Sequence, residues 1–462
     1  MKINYNMSAV ITNNQLHRTE NNLTSAMEKL SSGLKINHAK DDAAGMAISN
    51  KMRLQIDGLD QASRNASDGT SVLQTTDGAL NEVTSIIQRM RELAVQTATG
   101  TNTQADKKAA QHEIESLKDE INRVSRDTEF NTKILLDGTL EQRVYAKNVS
   151  RISTSVYVNP GDYDVMVSAA ATKGTVEAEA AKFNDMTAEI GISGSLKVNG
   201  SQIDISASDT YEEVFEKIRN GAEIGEMDAT VDGGKLVFTS AFYGDDTDLD
   251  VSCSSLPLAD ALGFSTKDKM GIVTEGKDAT VELVDGFADT ATTKVTGNRV
   301  TISDKDGFEF NFLIDDGFSD NTDPVKFEVT DIGAMSLQIG ANQYQTMDVR
   351  IARVDTETLF IDDMDVTTVH GADRAISTLD EALATVSGIR ASIGAYSNRL
   401  DYAVESLDET SENVTSALSR IEDVDMAEEM SEYTQQNVLQ QAAISVLTQA
   451  NDLPQQVLQL LQ

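Results

Sequence analysis

The residues of this chain best suited to chemistry do not converge. His112 and Glu113 begin the order His-Glu-x-x-His, in which two imidazoles one helical turn apart bind zinc and the glutamate serves as base. The fifth position is Ser116, so the second zinc ligand is missing. His17, His38 and His370 stand singly, and solvation or packing accounts for each. The pairs Asp245-Asp246, Asp315-Asp316 and Asp362-Asp363 can be read as cation sites; solvated loops are the simpler reading. Cys253, the one cysteine, excludes an internal disulfide and is expected to be a small buried hydrophobe. No glycine-rich phosphate loop or nucleophile motif stands out. The expectation is no catalytic residue, no cofactor and no metal: not an enzyme.

Composition narrows the partners. The chain carries 38 basic and 75 acidic residues, a net charge of -37. Such a surface repels the phosphates of nucleic acid and of anionic membranes. No apolar run approaches the roughly 18 residues of a membrane span. The first six residues lack the apolar core of a secretory signal. The expectation is a protein that stays in the cytoplasm or leaves by a route without a cleaved signal. Aromatics are only 5% and Trp is absent, which suits the narrow seams of helical bundles.

What the chain does have is a heptad rhythm at both ends. Leu16, Leu23 and Leu30 recur every seven residues, with Met27 and Leu34 beside them. At the other end Leu439, Ala443, Val446, Ala450, Leu453, Val457 and Leu460 alternate steps of four and three. Such a stripe demands a partner helix. Further stripes run through Val72, Thr76, Ala79, Val83, Ile86, Met90 and Leu93, then Ala110, Ile114, Leu117, Ile121 and Val124. Another runs from Ile376 through Leu379, Leu383, Val386, Ile393, Leu400, Val404, Leu407, Val414 and Leu418 to Ile421. A helix of roughly 45 residues there would be about 65 Å long. Pro454 falls inside the last stripe, either as a kink or as a cap and restart.

From about residue 176 to 340 the helical stripe gives way to alternation. Asn199-Gly200 makes a hairpin turn between strands near Leu196 and Ile203. A short helix with Val214, Phe215 and Ile218 follows, then a hairpin around Asp232, Gly233 and Gly234. Residues 299–302 and 308–312 read as further strands. The fold expected is α+β: a long helical coiled-coil or bundle rod made by the N- and C-terminal segments, with a β-rich central insertion.

Between the beats the residues become specific. LSSGLKIN from Leu30, His38, then AKDDAAG from Ala39, QASRNASDG from Gln61 and QRMRELAVQ from Gln88 closely resemble the signature of bacterial flagellin. So do RIED from Arg420, VLQQ from Val438 and the stretch Ala450, Asn451, Pro454, Val457 and Leu458. The resemblance covers about residues 1–175 and 335–462. Residues 196–200, 209–210, 217–218, 232–236 and 261–264 resemble a small ββαββ module shared by some flagellins and hook-associated proteins.

The resemblance implies a structural subunit of the flagellar filament that polymerises with copies of itself. Its layout would be an inner-tube helix at 1–42, rod segments at 43–175 and 336–422, variable β-rich outer domains at 176–335, and an inner-tube helix at 423–462. Both inner-tube segments are expected to be poorly ordered in the monomer, because isolated helices are marginal in water. The polar segment 31–45 would connect the helical layers. Implied partners are an export chaperone and the flagellar secretion apparatus, hook-associated and cap proteins, and a host Toll-like receptor, but neither nucleic acid nor membrane. Receptor binding by resemblance falls on Arg89, Leu93 and Glu113. The implied location is secreted, extracellular, in the flagellum filament. The alternative is a hook–filament junction protein; the unbroken match over 30–96 favours the filament subunit.

Overall fold

The computed structural model describes residues 6–155, 157–245, 249–305, 307–315, 318 and 323–460, the last seven of these by backbone alone. The side chains of Val457 and Leu460 thus lie outside the described part, as do Asp246 and Asp316. Seven helices are described: α1 (Met7–Ser32), α2 (Ala43–Thr97), α3 (Gln104–Asp127), α4 (Tyr211–Ile224), α5 (Leu256–Leu262), α6 (Gly371–Glu422) and α7 (Met426–Leu460). The chain forms two compact units. One holds the described residues through Asp68, Gln338–Met347 and those from Leu400 on; the other holds Gly69–Leu337 and Asp348–Arg399.

In the first unit α1 packs along α7. The pair is antiparallel: Asn6 Nδ2 donates to the Ala450 carbonyl at 2.7 Å, and Lys29 meets Glu429 at 3.5 Å. Asn6 also caps α1 by accepting from the Ala9 N–H. Gly33 ends the helix at φ 72, a conformation that costs a residue without a Cβ little. Leu34 therefore lies beyond α1, bridged to Asp423, and is not on the helical stripe as the spacing implied. The segment that follows is held by its own carboxylates. Asp41 accepts from the Asn37 and His38 N–H groups, and Asp42 from those of Ala44 and Gly45 at the start of α2. A small core of Leu59, Ala62 and Leu407, with Ala341 packed against it, joins α2 to α6 here.

In the second unit α2 is tied to α6 by Arg91–Asp380 and Arg390–Asp77. In this unit the positions of α2 with no exposure are Leu73, Thr76, Leu80, Val83, Ile87, Met90 and Ala94. Thr76, Val83 and Met90 belong to the expected stripe, but Leu80 and Ile87 replace Ala79 and Ile86, which are half-buried. Neighbouring apolar residues allow either register; the larger Leu80 takes the seam in place of Ala79, and Ile87 lies seven residues on along the same face. On α3, Ile114, Ile121 and Val124 are buried as spaced. On α6, Leu379, Val386, Ile393, Leu400 and Leu407 are buried, and the helix is 52 residues long.

The β structure starts well before residue 176. Two four-stranded antiparallel sheets enclose one core. Their orders are Thr280–Asp285, Gly161–Ala169, Val325–Thr330, Arg143–Tyr145, and Thr292–Thr296, Arg299–Ser303, Glu309–Ile314, Val149–Thr154. Phe310, Phe312 and Phe327 fill that core, with Tyr163, Val165 and Val167 alternating inward from Gly161–Ala169. A second β module has its own core around Leu196, Ile218, Leu236, Phe238 and Leu258. Its hairpin Gly194–Val198 to Ser201–Ile205 turns on Asn199 and Gly200 at φ 44 and 83, as the Asn-Gly pair predicts. Helix α4, with a Thr210–Glu213 capping box, leads to the second hairpin, Met227–Asp232 to Lys235–Tyr243. The expected hairpin–helix–hairpin order is present, its hairpins lying in separate sheets.

Candidate assembly surface on the terminal helices

The α1–α7 seam is small and polar. Along α1 the covered positions are Ala9, Thr12, Leu16, Thr19, Leu23, Ala26 and Leu30, alternating steps of three and four. Along α7 they are Glu429, Tyr433, Gln436, Gln440, Ala443, Leu447 and Ala450, in the same rhythm. Only Thr19, Ala26, Glu429 and Ala450 are fully buried. Alanine, threonine and glutamine bring the backbones close but remove little apolar area from water, so the pair gains little from burial.

The larger apolar side chains of α7 are elsewhere. Leu439, Val446 and Leu453 form a seven-spaced row beside the seam and are 45%, 50% and 55% exposed. Val438, Ile444 and Met430 are exposed too, as are Met7, Val10, Ile11 and Met27 on α1. The single stripe expected from spacing thus divides: Ala443 and Ala450 face α1, while Leu439, Val446 and Leu453 face outward. Likewise Leu16, Leu23 and Leu30 are half-buried and Met27 is exposed. A seven-spaced row of exposed Leu and Val on a helix is the kind of surface that packs against a further helix. Helix α7 runs continuously from Met426 to Leu460, with no restart at Pro454.

The candidate receptor residues lie at the α2–α3 contact. Arg89 donates to Glu113 Oε1 through two nitrogens, at 3.0 and 2.8 Å, and also pairs with Glu92. The hydrogen bond to Glu113 is the main reason the Arg89 guanidinium holds its proton above its ordinary range. Arg89 and Glu113 are exposed, whereas Leu93 is only 3% exposed and belongs to the core. His112 is exposed beside Glu115, and Ser116 donates to the His112 carbonyl. His17 pairs with Glu20, and His38 with Glu28. Cys253 is buried, which pushes its thiol up to about 12 and leaves no reactive thiolate near neutral pH. Among the described residues no cluster of three His, Cys, Asp or Glu residues could hold a metal, and no helix is long and apolar enough to cross a membrane.

Long helices at both ends of one chain, joined to each other by a weak seam, have a counterpart in known proteins. Residues 3–141 match the bacterial flagellin N-terminal helical region, and residues 376–461 the bacterial flagellin C-terminal helical region. A flagellin of Clostridium tyrobutyricum is 36% identical over 98% of this chain and 100% of its own length. The chain belongs to the flagellin family. A flagellin of Salmonella choleraesuis is 34% identical over 99% of both chains, and flagellin B of Vibrio cholerae is 33% identical over 100% and 99%. Among solved structures, FliC of Burkholderia pseudomallei aligns over 72% of this flagellin and 99% of its own chain, at 17% identity and a TM-score of 0.24. Hook-associated protein 3 of Legionella pneumophila aligns over 80% and 98%, at 12% identity and 0.32. Those superpositions are loose, and the family relation rests on the sequence matches. It makes this flagellin a structural subunit of the flagellar filament, in a family of structural proteins rather than enzymes.

Proposed function

We propose that this flagellin polymerises through the outward row Leu439, Val446 and Leu453, together with the exposed apolar residues of α1, each awaiting a neighbouring copy. The exposure of that row beside a weakly apolar α1–α7 seam carries the reading. Residues 1–42 and 423–462 form the inner tube of the filament, the helices within 43–175 and 336–422 the next helical layer, and 176–335, with the strands from Arg143 on that share its sheets, the outward β-rich part. In the monomer the terminal pair is loosely held and firms up on polymerisation. The chain performs no catalysis.

Membership of the family supports export of the unfolded chain through the flagellar secretion apparatus, with a chaperone on the C-terminal helix. It likewise supports contacts with hook-associated and cap proteins and a final location outside the cell. Arg89 and Glu113 offer an exposed charged pair to a host Toll-like receptor, with Leu93 holding the helix edge beneath them.

Seeded polymerisation viewed by electron microscopy tests the main reading. Long filaments growing from monomer on seeds support it. Failure to elongate even on seeds favours the hook–filament junction alternative. Strong amide protection throughout both termini of the monomer would contradict the loosely held pair.

A further inference from the structure

The β module around Phe238 is attached to the rest of its unit at two places of different kinds. The first is covalent: the chain enters near Thr172 and leaves near Lys277, and these two residues exchange backbone hydrogen bonds of 2.9 and 3.1 Å. The second is a non-covalent clasp at the corner after α4. The Val369 N–H donates to the Ile224 carbonyl at 3.1 Å. Beside it the Glu226 carboxylate, in a residue only 7% exposed, accepts from the Arg374 guanidinium and from the Thr368 hydroxyl, both at 2.5 Å. The same guanidinium lies 4.0 Å over the ring of Phe242. Between the two attachments is a cleft of about 1110 Å³, bordered by Tyr243, Asp278 and Gly297 toward one and by Arg374 and Thr378 toward the other.

We infer that the Glu226–Arg374 pair is a latch that holds the module against the start of α6, with the Thr172–Lys277 bridge as the hinge about which the module opens. Three features support this. The module has a core of its own, so it can move without exposing Leu236 or Phe238. The cleft already parts the module from the sheets behind along much of their facing surfaces, and the close approach of Tyr243 and Gly244 to Gly297 lies at the hinge end. The energetics also favour a switch. With Arg374 present the Glu226 charge is matched, whereas without it a buried carboxylate would face only a hydroxyl, and opening to water relieves that cost. This behaviour belongs to the single chain and does not depend on polymerisation.

Pulsed electron spin resonance on the full chain tests the latch. Labels go on Asn220→Cys in α4 and Ser387→Cys in α6; Val284→Cys with Ser387→Cys, from sheet to α6, is the control. The buried Cys253 stays unlabelled. The unmutated latch should give one narrow distance for each pair. Arg374→Ala should spread the first pair and leave the control narrow. Adding Glu226→Gln should narrow the first pair again, because a neutral amide tolerates burial without the guanidinium. Arg374→Lys, which keeps the charge but loses the planar stack on Phe242, should show a smaller spread of the same sign. An unchanged first pair in Arg374→Ala, equal spreading of the control, or a double variant as spread as Arg374→Ala would each overturn the latch.

Discussion

Arg53 grips the carboxylate of Glu422 across 369 positions of sequence, Nε donating to Oε2 at 3.2 Å and a terminal nitrogen to Oε1 at 2.5 Å. Glu422 is the last residue of α6 and only 6% exposed. Its carbonyl accepts from the Lys35 N–H at 2.6 Å, and the Val424 N–H donates to the Gly33 carbonyl at 3.0 Å. One ion pair therefore sits where the exit of α1, the end of α6 and the start of α7 meet.

Removing the guanidinium strands a buried charge at that junction. Arg53→Ala should lower stability by about 1.5–3 kcal/mol, the range for a hydrogen bond to a charged group. Glu422→Gln should cost less, since the amide keeps one acceptor. Urea unfolding gives the magnitude, and hydrogen exchange gives the place: the Lys35 and Val424 amides should exchange faster. Unaltered exchange at both would mean the backbone bonds hold the junction without the ion pair.

The terminal helices separate folding from assembly. Val446→Asp places a charge on an exposed row, so monomer stability should change by less than about 0.5 kcal/mol. Elongation on seeds should stop, because each added copy would bury that carboxylate. Ala450→Leu tests the other face. Ala450 is buried against α1, so overpacking should destabilise the helix pair by about 1–3 kcal/mol. Equal loss of polymerisation and of monomer stability in Val446→Asp would contradict the division of faces.

That division shows where sequence reading runs out. The heptads of α1, α2, α6 and α7 and the Asn199-Gly200 turn are legible because each depends on a local period or on one residue's backbone freedom. Which beat of a heptad faces inward is set by the partner. Leu80 goes inward rather than Ala79 because the larger side chain fills the seam, and Ile87 rather than Ile86 follows because it lies seven residues on from Leu80 on the same face. On α7 the inward positions include Gln436 and Gln440, which no hydrophobic pattern selects. Gly33 was a readable stop signal, and it is what takes Leu34 off the helix. The alternation of Tyr163, Val165 and Val167 was equally available, although the β-rich part was expected to start at residue 176. Glu226 and Arg374 carry no sequence signal, since only the folded module brings them together.

Glu141 gives the fold a pH dependence near neutrality. Burial of its carboxyl end raises the pKa from the ordinary 4.5 to about 7, although the Arg353 N–H donates to it at 2.9 Å. Between about pH 4.5 and 7 the folded state thus holds a proton that the unfolded state has released, so this group's contribution to stability falls as pH rises through that window. Below it the effect is absent, and above it the cost is full, on the order of 3 kcal/mol. The net charge of -37 adds self-repulsion of the same sign, so the measurement must be a difference. Glu141→Gln should flatten the stability profile relative to the unmutated chain across that window. Parallel profiles would show that the carboxyl is ionised throughout.

Receptor recognition is best tested at Arg89 and Glu113 rather than at Leu93. Because Leu93 is buried, Leu93→Ala should cost about 2–5 kcal/mol by opening a cavity. Any loss of signalling would then mix a lost contact with a loosened helix. The Arg89–Glu113 pair is exposed, and such pairs are worth about 0–1 kcal/mol to the fold. Arg89→Ala and Glu113→Ala should therefore leave the unfolding midpoint of the monomer nearly unchanged. If the pair meets a Toll-like receptor, each should weaken binding by about tenfold or more, the loss of one charge-assisted contact of roughly 1.4 kcal/mol. Surface plasmon resonance with purified receptor ectodomain reads that directly. Full affinity in both variants would leave Arg89 and Glu113 with a packing role alone, tying α2 to α3.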